Sequence, residues 1–206
     1  MTRFRRSLWI PAALAVLVIA APLAGCALGS APEETVFRLE APAVEPPVPP
    51  NGQVEVLTPR VAGSLAGAVG LAVAYEGEVV RVDEIAGGRW EDPPAEVLET
   101  ALRDAFLPIL EDVTDSGPRW RLSWSLDRLE AVVPPEGTEP AEVRAALTWT
   151  LRRDRARDDH AAGAIRESLP VTAGAPLPEV VLTFNKVVRR ALGRLVAEVS
   201  AATRGP

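Results

Sequence analysis

The stretch from Arg119 to Arg153 constrains this chain more than any other. Trp120, Leu122, Trp124 and Leu126 alternate with Arg119, Arg121, Ser123, Ser125 and Asp127. Only an extended strand sorts a period of two onto two faces, here one apolar and one wet. The apolar parity then passes to Leu129, Ala131 and Val133, as a one-residue bulge near Asp127-Arg128 would cause. After PPEGTEP, which is loop chemistry, Val143, Ala145, Leu147, Trp149 and Leu151 resume the alternation. The two runs read as a long antiparallel hairpin with three tryptophans on one side. A face of that size must be covered by other parts of the chain.

Two amphipathic helices are legible as the cover. Val97, Leu98, Ala101, Leu102, Ala105 and Phe106 draw one stripe. Asp92 is expected to cap this helix with Pro93 in its first position, and Pro108 to end it near Leu107. The second helix is expected from about Pro178 to Ala202, where ten apolar residues from Val180 to Val199 fit the i, i+3, i+4, i+7 spacing. Lys186, Arg189, Arg190 and Arg194 fall on its remaining face. That face reads as solvated, with a membrane surface or an acidic partner as the alternative. Shorter strands are expected at Val54–Val56 before Pro59, at Val69–Tyr75, at Val79–Ile85 after the turn Glu76-Gly77-Glu78, and around Ile165, Leu169 and Val171. Gly63, Gly67 and Gly70 belong by composition to a loop, without the spacing or lysine of a phosphate cradle. The fold class is α+β: a mostly antiparallel β-sheet with two amphipathic helices packed on one face.

The amino-terminal end sets the compartment. Arg3, Arg5 and Arg6 precede an apolar run from Leu8 to Ala21 that is short for a membrane span, and Leu23-Ala24-Gly25-Cys26 follows. Leu-Ala-Gly-Cys resembles a lipobox, which implies cleavage before Cys26 and acylation there. Residues 1–25 are then a signal peptide, 26–52 a lipid-anchored tether with a short edge strand and a proline-rich loop, and 53–206 the α+β domain. Half of the residues in APAVEPPVPP, 41–50, are proline, and Phe37 and Leu39 alternate with charges just before it. Either that segment docks as an edge strand, or all of 27–52 is loose and lets the domain float up to roughly 80 Å from the membrane. Cys26 is the only cysteine, so an intrachain disulfide is impossible and stability must come from packing. The chain carries a formal −6, and the leader holds three arginines and no acids, so the part from Cys26 onward carries about −9. By net charge alone such a surface does not seek nucleic acid or anionic lipid headgroups.

Few residues offer chemistry. His160, the single histidine, sits in a charged turn with Asp154, Asp158 and Asp159, whose spacing matches no calcium loop and reads as solvent-facing. No nucleophile has an obvious base, so no enzyme activity, metal or cofactor is expected. Arg89 and Trp90 are the candidate partner-binding pair, since tryptophan and arginine dominate interface energetics. The competing reading of Trp90 is a plug at the joint between hairpin and helix.

Several of these segments together resemble a family. Val36-Phe37-Arg38-Leu39, Val54-Glu55-Val56-Leu57, the Tyr75 hairpin and Gly88-Arg89-Trp90-Glu91-Asp92-Pro93, behind a lipobox, resemble the ABC-type transport auxiliary lipoproteins. These accompany transporters with a mammalian-cell-entry (MCE) domain. Phe37 stands where the family usually has tyrosine. The resemblance implies a non-catalytic, lipid-anchored component of an envelope lipid-transport system, with the MCE protein and its permease and ATPase as partners. Ala27 after the cysteine favours the outer membrane, facing the periplasm, with the inner membrane as the alternative anchor site. A cell-wall or outer-membrane activator and a lipid-modifying enzyme are the alternative functions.

Overall fold

The computed structural model describes residues 35–41, 44–61, 69–76, 79–107, 117–134 and 139–205. The leader and Cys26 lie outside them. In chain order the described elements are β1 (Thr35–Phe37), β2 (Gln53–Val56), β3 (Arg60–Val61), β4 (Val69–Glu76), β5 (Val79–Trp90), α1 (Pro94–Ala105), β6 (Arg119–Val133), β7 (Glu142–Arg153), β8 (Ala161–Pro170) and α2 (Leu177–Ala202). The α+β expectation holds: one sheet with two amphipathic helices.

Strand β6 is the spine of the sheet. One of its edges carries the antiparallel ladder to β7, which continues to β8. Its other edge is tiled in succession by three parallel partners: β2 on 119–122, β3 on 125–126 and β4 on 131–133. Strand β4 pairs antiparallel with β5, and β1 adds in parallel at Gly88–Trp90. The expected bulge is present, because the β6–β7 register shifts between Leu126 and Arg128. Trp120, Leu122, Trp124 and Leu126 are buried before it, and Leu129, Ala131 and Val133 after it.

Each hairpin tryptophan satisfies its indole N–H while burying its rings, as a buried tryptophan must. Trp120 donates to the Asn51 carbonyl at 2.8 Å and Trp124 to the Leu57 carbonyl at 3.0 Å, so both fasten the 51–57 segment to β6. Trp149 lies opposite Trp124 and donates to Glu198 of α2 at 3.3 Å. Its indole occupies the space beside Gly163, where a Cβ would stand 2.6 Å from Nε1.

Three local expectations are corrected. Asp92 does not cap α1: Pro93 is the cap residue, at φ −55° and ψ 129°, with no side-chain cap bond. A residue preceding proline is pushed out of the α region, so Pro93 stays extended and Pro94 becomes the first helical residue. Strand β5 does not stop at Ile85 but runs through Gly87 and Gly88 to Trp90, where β1 supplies backbone partners from far upstream. Gly70 belongs to β4 and not to a loop, whereas Gly63 and Gly67 lie outside the described residues.

One compact unit spans Glu34–Pro206. Leu39 is buried, and Ala41 and Val44 pack on the core. The Glu40 N–H donates to Asn185 Oδ1 of α2 at 3.1 Å, and the Asn51 N–H to the Thr203 hydroxyl at 2.8 Å. Eleven residues thus follow eighteen residues of helix and its end. Extended proline-rich chain covers about 34 Å in eleven residues, and eighteen helical residues rise about 27 Å. Held at both ends, and with Val44 beside Gly193, the described parts of this segment form a strap along α2.

Candidate docking surface

Strand β5 delivers Arg89 and Trp90 to the corner where β1 pairs with it and α2 packs, just before α1 begins. Trp90 pairs with Phe37, and the Glu91 N–H donates to the Phe37 carbonyl at 2.7 Å. The Trp90 ring is only 4 % exposed and meets Phe184 of α2 edge to face, at 5.3 Å and 80°. Trp90 is therefore not a surface anchor: it plugs the joint between the sheet and α2. Arg89, its neighbour in a strand, points the opposite way and is exposed. Trp90→Ala should lower stability by about 3–5 kcal/mol, as removal of a buried aromatic does. Urea unfolding followed by tryptophan fluorescence checks this, and an unchanged midpoint would contradict the burial.

Beside this corner Arg38 grips Glu91 with both arms of its guanidinium, Nε to Oε2 at 2.6 Å and Nη2 to Oε1 at 3.0 Å. That hydrogen bonding, with the attraction of the opposite charge, holds the Glu91 carboxyl below its usual range. The pair is exposed, so it sets geometry more than stability. Glu142, bonded to Arg144 and then to Ser168, is lowered in the same direction. For both groups the contribution is present above the ordinary carboxylate range and is lost as pH falls through the lowered values.

The sheet face opposite the helices is the wet one. It holds two shallow concavities of about 610 and 490 Å³ that meet at Thr148. Arg128, Arg144 and Arg166 line the first, and Arg60, Ser123, Thr150 and Arg152 the second. Ser125 bonds both Asp127, at 2.7 Å, and Thr148. This chain of hydroxyls and carboxylate contains no imidazole to accept a proton. His160 is elsewhere: its ring lies 4.8 Å from that of Trp120, and its Nε2 stands 3.0 Å from the Ala202 carbonyl, where it must donate. It clips the 154–160 turn to the end of α2. Among the described residues no group of three acids, histidines or cysteines is placed to hold a metal ion.

No family model matches the chain, and no curated protein resembles it significantly. Among solved structures, a Xanthomonas campestris protein of the DUF330 family superposes with a TM-score of 0.65 at 16 % identity, covering 82 % of this chain and 97 % of that one. The likeness is one of fold. A protein described as uncharacterized also superposes, with a TM-score of 0.54 at 13 % identity over 81 % of this chain and 99 % of its own. Among the described residues no helix is long and apolar enough to cross a membrane.

The basic side of α2 divides into two parts. Arg194 is engaged, bonding Glu167 at 2.8 Å, reaching the Arg166 carbonyl at 3.4 Å and approaching Glu198 at 3.5 Å. Its guanidinium is held above its ordinary value, chiefly by the Glu167 bond. Lys186, Arg189 and Arg190 are exposed, and none has a carboxylate partner among the described residues. Residue-level reading missed Asn185, which is buried in the apolar stripe and receives the strap's Glu40 N–H. An amide inside an otherwise apolar helical face was the available signal, since a buried polar group needs a partner.

Proposed function

We propose that this protein is a non-catalytic, lipid-anchored auxiliary component of an MCE-type ABC system that transports lipids across the bacterial envelope. The observation that carries this reading is the short lead between the acylation site and the domain. Cys26 precedes Glu34, where the compact unit begins, by eight residues, which span at most about 26 Å. A domain on such a lead stays beside its bilayer, where the end of an MCE protein that bridges the periplasm can meet it, and tethering raises its effective concentration there. An activator reaching into the cell wall needs a long free tether, but the proline-rich run that would supply one is strapped to α2. A lipid-modifying enzyme needs a base, and the only histidine is engaged with Ala202 and Trp120. Ala27 after the anchor favours the outer membrane, facing the periplasm.

Association tests the proposal. An MCE protein encoded beside this chain should bring it along when purified from membranes. Cys26→Ala should remain unprocessed or leave the membrane fraction, and the yield of the pair should fall with it. If neither pull-down nor crosslinking in intact cells joins the wild-type pair, the transport reading fails and the activator reading replaces it.

A further inference from the structure

We infer that the open part of α2, made of Leu182, Lys186, Arg189 and Arg190, rests on an anionic phospholipid surface and so sets the orientation of the domain against the membrane. This rests on the lipid-anchor reading above. At 100° per residue the four positions fall within about 100° of arc, one continuous face of the helix. Leu182 is 57 % exposed, an unusual cost for a large apolar residue in a helix whose other large apolar side chains are mostly buried. Beyond Arg190 the face closes, because Val44 of the strap comes within 3.9 Å of a Cβ position at Gly193 and Arg194 is tied to Glu167.

The open face lies where the anchored chain arrives. Glu40 is bonded to Asn185, adjacent to Lys186, and only fourteen residues separate Glu40 from Cys26. An apolar residue beside three long cationic side chains is the pattern of an interfacial helix, whose cations reach headgroups while the apolar residue enters the boundary. The net charge of about −9 sharpens the effect. Most of the surface is repelled by an anionic bilayer, so the basic face orients a domain that the acyl chains already hold.

The test uses the full, acylated chain reconstituted in vesicles of phosphatidylcholine, with or without a minority of phosphatidylglycerol. Cys26 is the only cysteine and its sulfur is acylated, so Leu182→Cys accepts a fluorescent probe selectively. Three basic residues near an anionic surface should raise the ratio of docked to undocked domain by about a hundredfold. Lipid-borne quenchers should therefore reach the probe in anionic vesicles only. High salt should reverse the quenching. The triple variant Lys186→Glu, Arg189→Glu, Arg190→Glu should abolish it while keeping the parent melting temperature. A probe at Thr148→Cys, on the opposite side of the sheet, should remain unquenched. Equal quenching in neutral vesicles, in the triple variant or at Thr148 overturns the inference. Failure of the chain to float with either vesicle overturns the lipid-anchor reading, and the inference with it.

Discussion

Replacing Leu192 by aspartate is expected to unfold the domain. Leu192 is 1 % exposed in the middle of α2, the helix that packs across β7 and β8 and also carries the strap. Removing a buried leucine costs about 2–5 kcal/mol. A carboxylate in its place must either stay charged without a partner or be protonated at neutral pH, which adds several kcal/mol more. Domains of this kind have about 5–15 kcal/mol in total, so the substitution consumes most or all of the margin. Leu192→Ala, which creates only the cavity, should remain folded with a lower melting temperature. Thermal unfolding followed by circular dichroism separates the two. A melting temperature for Leu192→Asp within a few degrees of the parent would refute the buried face of α2.

Gly52→Ala should be nearly as damaging, for a backbone reason. Gly52 has φ +96°, a region that side chains with a Cβ rarely enter. An added Cβ would stand 2.0 Å from the Pro118 carbonyl oxygen, and that oxygen already accepts the Gln53 N–H at 3.0 Å. The clash is with backbone, so no rotamer change relieves it. Either the β2–β6 ladder shifts or the strap's lower end lifts away from Trp120 and Thr203. We expect a loss of about 3 kcal/mol or more, on the scale of a strained backbone combined with broken buried bonds. Amide exchange at Asn51 and Gln53 would show the damage starting there. Protection equal to the parent's at both amides would sink the argument.

The hairpin of β6 and β7 was readable because its information is local. Trp120, Leu122, Trp124 and Leu126 before Asp127-Arg128, and Leu129, Ala131 and Val133 after it, fix the period, the parity and the bulge without reference to any other segment. The stripe of α2 was readable for the same reason, and its ends were placed within a residue. Strand β5 beyond Ile85 was not, because Gly87-Gly88 reads as a break until β1 supplies hydrogen bonds from about fifty residues upstream. The three parallel partners on the free edge of β6 are hidden in the same way. Of the candidate site, Arg89 and Trp90 were rightly placed just before a helix. The residues alone could not say that the indole points inward at Phe184, since burial of one side chain depends on which face the whole sheet turns to the helices.

The strap also fixes an order of events. Its two hydrogen bonds to α2 and to Thr203 join residues 145 and 152 positions apart. A chain that emerges amino-terminus first therefore presents the strap long before its seat exists. Closing loops of that length is slow compared with zipping the β6–β7 hairpin. The strap is thus the last part to lock. Until the final helix is complete, Glu40 and Asn51 lack the partners that hold them, so the strap between β1 and β2 stays unsecured while the sheet zips.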